Sequence, residues 1–258
     1  MPADLSTRTR EFGLLTADEA ARLPSRAVLL LPIGSLEPHG HLPLATDSMI
    51  AGAVLERVAR ATADTWLLPT LPLGYLFKYH GWPGAVGIGA AAVEEQVLGV
   101  CRAAAGLSVR RVFVMSGHDE NREAVIGALR GARLETGVAG VYCDWIDLAV
   151  SLVARLSTSR REGHASEIQT SVIQYLFPGL LTGALPTGEE APPEPETGAD
   201  DLFAPSEQGT WVRPVPRSTG RSYTGDPSVA SPEKGRAVVE HIVRRAAEVV
   251  EALQAEPL

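Results

Sequence analysis

The sequence predicts an α/β fold, with a mainly parallel sheet flanked by helices. Three observations predict it. Four short apolar runs, each bounded by Gly, Pro or polar residues, read as strands covered on both faces. Amphipathic helical patterns lie between them, and such alternation favours parallel pairing with helical crossovers. Clusters of acids and histidines directly follow the strands, on the edge where such sheets bind ligands.

The first strand is AVLLLPIG at 27–34, and the second lies within DTWLLPTLPLG at 64–74. RRVFVMSG at 110–117 and GVAGVYCDW at 137–145 are the third and fourth. A helix is expected over 48–62, where Ile50, Ala53, Val54, Val58 and Ala61 share a face. Similar patterns predict helices over 92–105, 122–134, 166–177 and 232–253. LPTGEEAPPEPETGADD, at 185–201, has the Pro- and acid-rich composition of a linker or loop.

At 258 residues the chain suits one large domain with a sizeable core, expected to span 1–258 with a loop at 185–201. The 31 acidic and 23 basic residues leave a net charge of −8, which argues against nucleic acid and anionic membranes as partners. Cys101 and Cys143 form no CxxC pair, so reduced, buried thiols in a cytoplasmic protein are expected. The polar opening MPADLSTRTREFG has no apolar core of signal-peptide length, and no apolar run is long enough to span a bilayer.

GSLEPHGHLPLATD, at 34–47, holds a Glu, two His and an Asp but no Lys or Arg. Glu37 and His39 are two apart, so in an extended segment they face one way. Asp47 is either a further ligand or a helix N-cap. His118 and Glu120 repeat the two-residue spacing in GHDEN after the third strand, with Asn121 placed to cap a helix. In GHASEIQTS, His164 and Glu167 are three apart, on one face of a helix, although Ser166 and Glu167 also read as a plain helix start. Carboxylates with imidazoles suit Zn²⁺, Mn²⁺ or related divalent ions, and paired ions serve many hydrolases.

These blocks resemble the creatininase family of metal-dependent amidohydrolases. LPIGSLEPHGHLPLATD is similar to its opening signature, and PTLPLGYLFKYHGWPGAVGIG to its second block, with His80 and Gly84 on matching positions. VFVMSGHDEN, GHASEIQTS and YTGDPSVASPEKG match three more in order. The resemblance implies a three-layer α/β/α sandwich, a homohexamer and two divalent metal ions per subunit, Zn or Mn. It implies that Glu37 and His118 bind one ion, that His39 binds the other and that Asp47 bridges. Glu120 is the expected further ligand and Glu167 the alternative. His164 matches the proton-shuttling His, Trp145 an aromatic residue closing over substrate, and His80 and Gln169 fall where substrate is held.

The sequence departs from the family in its first loop, where His41 follows Gly40 directly. The loop must run tighter, or His41 replaces His39. Ser166 stands where Gly is usual and Gln169 where Glu is common, which argues against creatinine as the substrate. The expected activity is hydrolysis of a C–N bond in a small-molecule amide, lactam or formamide. A peptidase-like or deformylating member of the same family is the alternative, and a non-catalytic scaffold is the reading of another class.

Overall fold

The computed structural model describes residues 10–187 and 213–257. Most of the Pro- and acid-rich stretch at 185–201 lies outside them. Strands β1 (Val28–Ile33), β2 (Thr65–Leu67), β3 (Arg111–Ser116) and β4 (Ala139–Asp144) form one sheet in the order β2-β1-β3-β4. Every pairing in it is parallel. The long helices are α2 (Thr46–Ala61), α3 (Ala90–Gly106), α4 (Arg122–Thr136), α6 (Glu167–Leu176) and α7 (Pro232–Ala255). Two short ones, α1 (Ala17–Ala20) and α5 (Val150–Leu156), were not expected. Such lengths span one or two turns, too few for a 3.6-residue period to register.

The layers follow from strand alternation. Val28 and Leu30 of β1 join Phe113 and Met115 of β3 in a core shared with Ile50, Val54, Ile168, Val172, Val238 and Ile242 of α2, α6 and α7. Leu29, Leu31 and Ile33 face the other way, with Val112 and Val114, onto α3 and α4. Successive side chains of a strand point to opposite faces, so a strand covered twice is buried throughout, as β1 and β3 are; β1 is apolar at every position, and β3 is apolar between Arg111 and Ser116 at its ends. The result is the expected α/β/α sandwich.

The strand order positions the site. The chain runs from β1 to β2 at the edge, then returns to place β3 on β1's other side. The loops after β1 and β3 therefore leave the sheet in divergent directions and open a crevice between them. α2 starts inside that crevice. A Cβ on Gly34 would lie 2.3 Å from the Ser48 nitrogen, and one on Gly117 would lie 2.1 Å from the Asp47 carbonyl oxygen. Only glycine at the two strand ends lets the first turn of α2 sit this close.

Candidate active site

Asp47 occupies the first turn of α2, and Ala45, rather than Asp47 or Thr46, is the N-cap. Its carboxylate is engaged elsewhere. Oδ2 accepts from the Ser35 hydroxyl at 2.7 Å, and Oδ1 accepts from the Gln169 amide at 3.0 Å. The shortened loop closes through a left-handed Gly40 (φ 57°) and a Leu42–His39 backbone bond of 2.8 Å. That turn buries His39, and His41 goes elsewhere, 2.8 Å from the Thr170 hydroxyl. His39 is thus the histidine of the cluster.

Three imidazoles are held in the same manner. His39 Nδ1 lies 3.0 Å from the Glu37 carbonyl oxygen, His118 Nε2 lies 2.8 Å from that of Tyr75, and His164 Nε2 lies 2.7 Å from that of Pro38. A carbonyl oxygen only accepts, so each of these nitrogens carries the proton. The other nitrogen of each ring then faces the acids. His39 Nε2 is 2.9 Å from Asp47 Oδ1, His118 Nδ1 is 3.0 Å from Glu37 Oε1 and 3.4 Å from Asp47 Oδ2, and His164 Nδ1 is 3.6 Å from Glu37 Oε1.

A bare imidazole nitrogen pointed at a carboxylate is repulsive unless positive charge lies between them. The electrostatics agree. Burial opposes charge on His39, yet Asp47 and Glu37 raise its pKa. Burial likewise opposes, and Glu37 and Asp47 override, at His118, which lies well above the usual range. Burial pushes Glu37 up, against the pull of His118. Asp47 stays well below the carboxylate range despite burial, because His39 and His118 adjoin it. His164 differs: burial, then His39, lowers it to about 3, so it is neutral.

The residues fit divalent ions by two tests. Among the described residues Glu37 Oε2 is buried with no hydrogen-bond partner, a cost of about 1–3 kcal/mol unless something binds it. Two sets of three potential ligand atoms lie mutually within 4.8 Å: Glu37, His39 and His164, and Glu37, His118 and Glu120. Backbone carbonyls that fix the tautomer of each histidine are the usual outer support of metal-binding imidazoles.

Other expected residues stand elsewhere. Glu120 joins the His118 side, 3.5 Å from its Nε2, and accepts from the Phe77 and Lys78 amides at 2.8 and 3.1 Å. It is grouped with Glu37 and His118 rather than with His39. Glu167 does not join the cluster. Its carboxylate is paired with Lys234 and accepts from the Ser159 and Thr158 amides at 2.7 and 2.9 Å. Its helix position satisfies the three-residue spacing from His164, but His164 lies before the helix, so the two share no face.

Trp145 is a core residue, 7% exposed and part of the core cluster that also holds Cys143, Ala149 and Ile168, rather than a cover over the cluster of acids and histidines. His80 is exposed, and it is the preceding residue, Tyr79, whose ring lies on His164. Asn121 sits at the N-cap position of α4 but makes no cap bond; its amide ties the Tyr75 nitrogen to the Gly34 carbonyl. Ser35, Tyr79 and Asn121 were not singled out as site residues from sequence, although all three lie in the blocks that carry the resemblance.

Comparisons with known proteins place the chain in a family. The creatininase family model, described as creatinine amidohydrolase, matches residues 14–250. A mycofactocin precursor peptide peptidase of Mycolicibacterium smegmatis is 32% identical over 88% of this chain and 85% of its own. A creatinine amidohydrolase of Pseudomonas putida is 28% identical over 63% of this chain and 69% of its own. A crystal structure of creatinine amidohydrolase superposes with a TM-score of 0.81 at 25% identity, covering 97% of this chain and all of that one. The chain belongs to the creatininase family and is a hydrolase of C–N bonds.

Proposed function

We propose that this chain hydrolyses an amide bond of a peptide, using two divalent ions, zinc or manganese. The observation that carries the reading is the arrangement of His39, His118 and His164, each with one nitrogen tied to a backbone carbonyl and the other turned on Glu37 or Asp47. Asp47 suits a bridging role, because its two oxygens face His39 and His118 separately. Glu37 and His118 would hold one ion and His39 the other, with Glu120 as the further carboxylate. Divalent ions bound there supply a water of lowered pKa and polarise the scissile carbonyl.

The chain's own residues do the rest. His164 has Nε2 held by the Pro38 carbonyl and a bare Nδ1 turned on the cluster, so it is placed to accept a proton there and return it to the leaving nitrogen. Gln169 fixes Asp47, and its orientation is unambiguous: Oε1 accepts from the Ala165 amide at 2.6 Å, which turns Nε2 toward Asp47. Residues 215–224 are tied to this region, bonded to Lys78 through Val215, to Gly40 through Ser222 and to the His164 carbonyl through Thr224.

Two observations favour a peptide over creatinine. The peptide peptidase relative matches more of the chain at higher identity. Trp145, expected to close over a small ring, is packed in the core. A cyclic amide or formamide is the second reading, favoured by the creatinine amidohydrolase relative. We further propose a single domain assembled as a hexamer in the cytoplasm; among the described residues no helix is long and apolar enough to cross a membrane.

The test is a substrate panel on protein loaded with Zn²⁺ or Mn²⁺: short peptides, creatinine, other cyclic amides and formamides. Metal-dependent peptide cleavage supports the reading. Turnover of a cyclic amide or formamide alone moves it to the second. Less than one tightly bound ion per chain, with no turnover, leaves a scaffold protein.

A further inference from the structure

His164 sits on an irregular loop, and nothing regular holds it. The residue after it, Ala165, has φ 48°, a left-handed conformation that side-chain-bearing residues adopt at a cost. An imidazole there has two rotatable bonds and several alternative orientations. The neighbours that remove those alternatives identify what orients it.

One edge of the ring is fixed by the Pro38 carbonyl, and its backbone by the Thr224 amide at 2.7 Å. Two rings pack against it: His39 with centroids 4.1 Å apart and Tyr79 at 4.7 Å, both inclined by 32°. Tyr79 is itself braced: it is 5% exposed and meets the edge of Trp82 at 5.5 Å and 86°. The Trp82 indole N–H donates to the Val215 carbonyl at 2.8 Å, and the Val215 amide donates to the Lys78 carbonyl at 2.7 Å. Four rings thus form a column from His39 to Trp82, and its outer end is pinned to the same 215–224 segment that holds the His164 backbone.

We propose that Tyr79, braced by Trp82, is the positioning residue that keeps the His164 ring in the one orientation with Nδ1 on the cluster and Nε2 on Pro38. This rests on the reading of His164 as the proton carrier. Of the two rings stacked on it, His39 belongs to the metal cluster, so Tyr79 is the one that can act on His164 alone. The contact with His164 is between the two rings, so an aromatic ring is what position 79 must supply. Tyr79→Phe should therefore substitute and Tyr79→Leu should not.

The experiment reads the ring directly. In the full chain, the His164 Nε2–H bonded to Pro38 should give a sharp, exchange-protected imidazole proton in NMR spectra, assigned by its loss in His164→Gln. Tyr79→Phe should keep it. Tyr79→Leu should broaden or lose it, with Zn²⁺ affinity by calorimetry within threefold of wild type. Trp82→Leu should raise its exchange rate roughly 3- to 10-fold, and it serves alone if Tyr79→Leu does not fold. On a substrate from the panel, Tyr79→Leu should lower kcat by roughly 10- to 100-fold with KM little changed. A sharp, protected proton in Tyr79→Leu, or an unchanged exchange rate in Trp82→Leu, overturns the proposal. So does a loss of Zn²⁺ affinity that parallels the loss of the signal. If His164→Gln itself retains turnover, the proton-carrier reading fails instead, whatever the ring signal does.

Discussion

Two buried carboxylates, one in the loop after β1 and one at the start of α6, make an instructive pair. Glu37 and Glu167 are 1% and 0% exposed, and both follow or precede a histidine within three residues. Glu167 is saturated. Lys234 neutralises it, two backbone amides and three hydroxyl contacts surround it, and these hold its pKa down against burial. Glu37 has no Lys or Arg partner among the described residues, leaves one oxygen bare, and has its pKa raised by burial. A satisfied buried acid holds the fold together, whereas an unsatisfied one among imidazoles marks where a cation belongs. Position in a motif does not separate them; the count of donors does.

The largest expected break comes from the cluster. Glu37→Gln and Asp47→Asn should each weaken Zn²⁺ or Mn²⁺ binding by at least roughly 100-fold and abolish turnover, as calorimetry and a hydrolysis assay would register. Glu167→Gln should leave divalent-ion affinity unchanged.

Next in size is the ion pair. Lys234→Met strands Glu167, whose side chain is fully buried, and should cost about 3–5 kcal/mol in denaturant unfolding. Adding Glu167→Gln, which removes the stranded charge and keeps an oxygen for the Thr158 and Ser159 amides, should recover part of that. A Lys234→Met variant of wild-type stability would show that the pair is not what holds this end of α6 to α7.

A smaller effect separates the two sites by pH. Glu162, beside Ser157 and Ser166, has its pKa pushed up to about 7 by burial. A raised acid binds its proton more tightly when folded. Its contribution is therefore full below about pH 4.5 and is lost as pH rises through about 7. Glu162→Gln should stabilise the fold by about 1–3 kcal/mol at pH 8 and by nothing at pH 4, measured by unfolding at both. The smallest effect belongs to His41→Asn, which should change stability by less than about 1 kcal/mol and divalent-ion affinity by less than about twofold.

Much of this was legible in the sequence because it was written as period and order. β1 is apolar at every position and β3 is apolar between Arg111 and Ser116, the pattern of strands covered on both faces, and the long helices fall within two residues of their expected bounds. The gathering of Glu37, His39 and Asp47 with His118 followed from strands ending at one sheet edge. What sequence could not supply was side-chain direction across loops. Glu120 turns to the Phe77 and Lys78 amides, and Glu167 to Lys234, 67 residues away. Trp145 enters the core because β4 ends in a short turn packed on α7, a tertiary fact. Tyr79 was overlooked for His80 because a histidine advertises chemistry and a tyrosine does not.

The most direct measurement is the number of Zn²⁺ ions bound per chain after equilibrium dialysis, compared among wild type, Glu37→Gln and Glu167→Gln. Two ions in wild type and in Glu167→Gln, with at most one in Glu37→Gln, is the predicted result. No bound ion in wild type, or a loss in Glu167→Gln equal to that in Glu37→Gln, would contradict it.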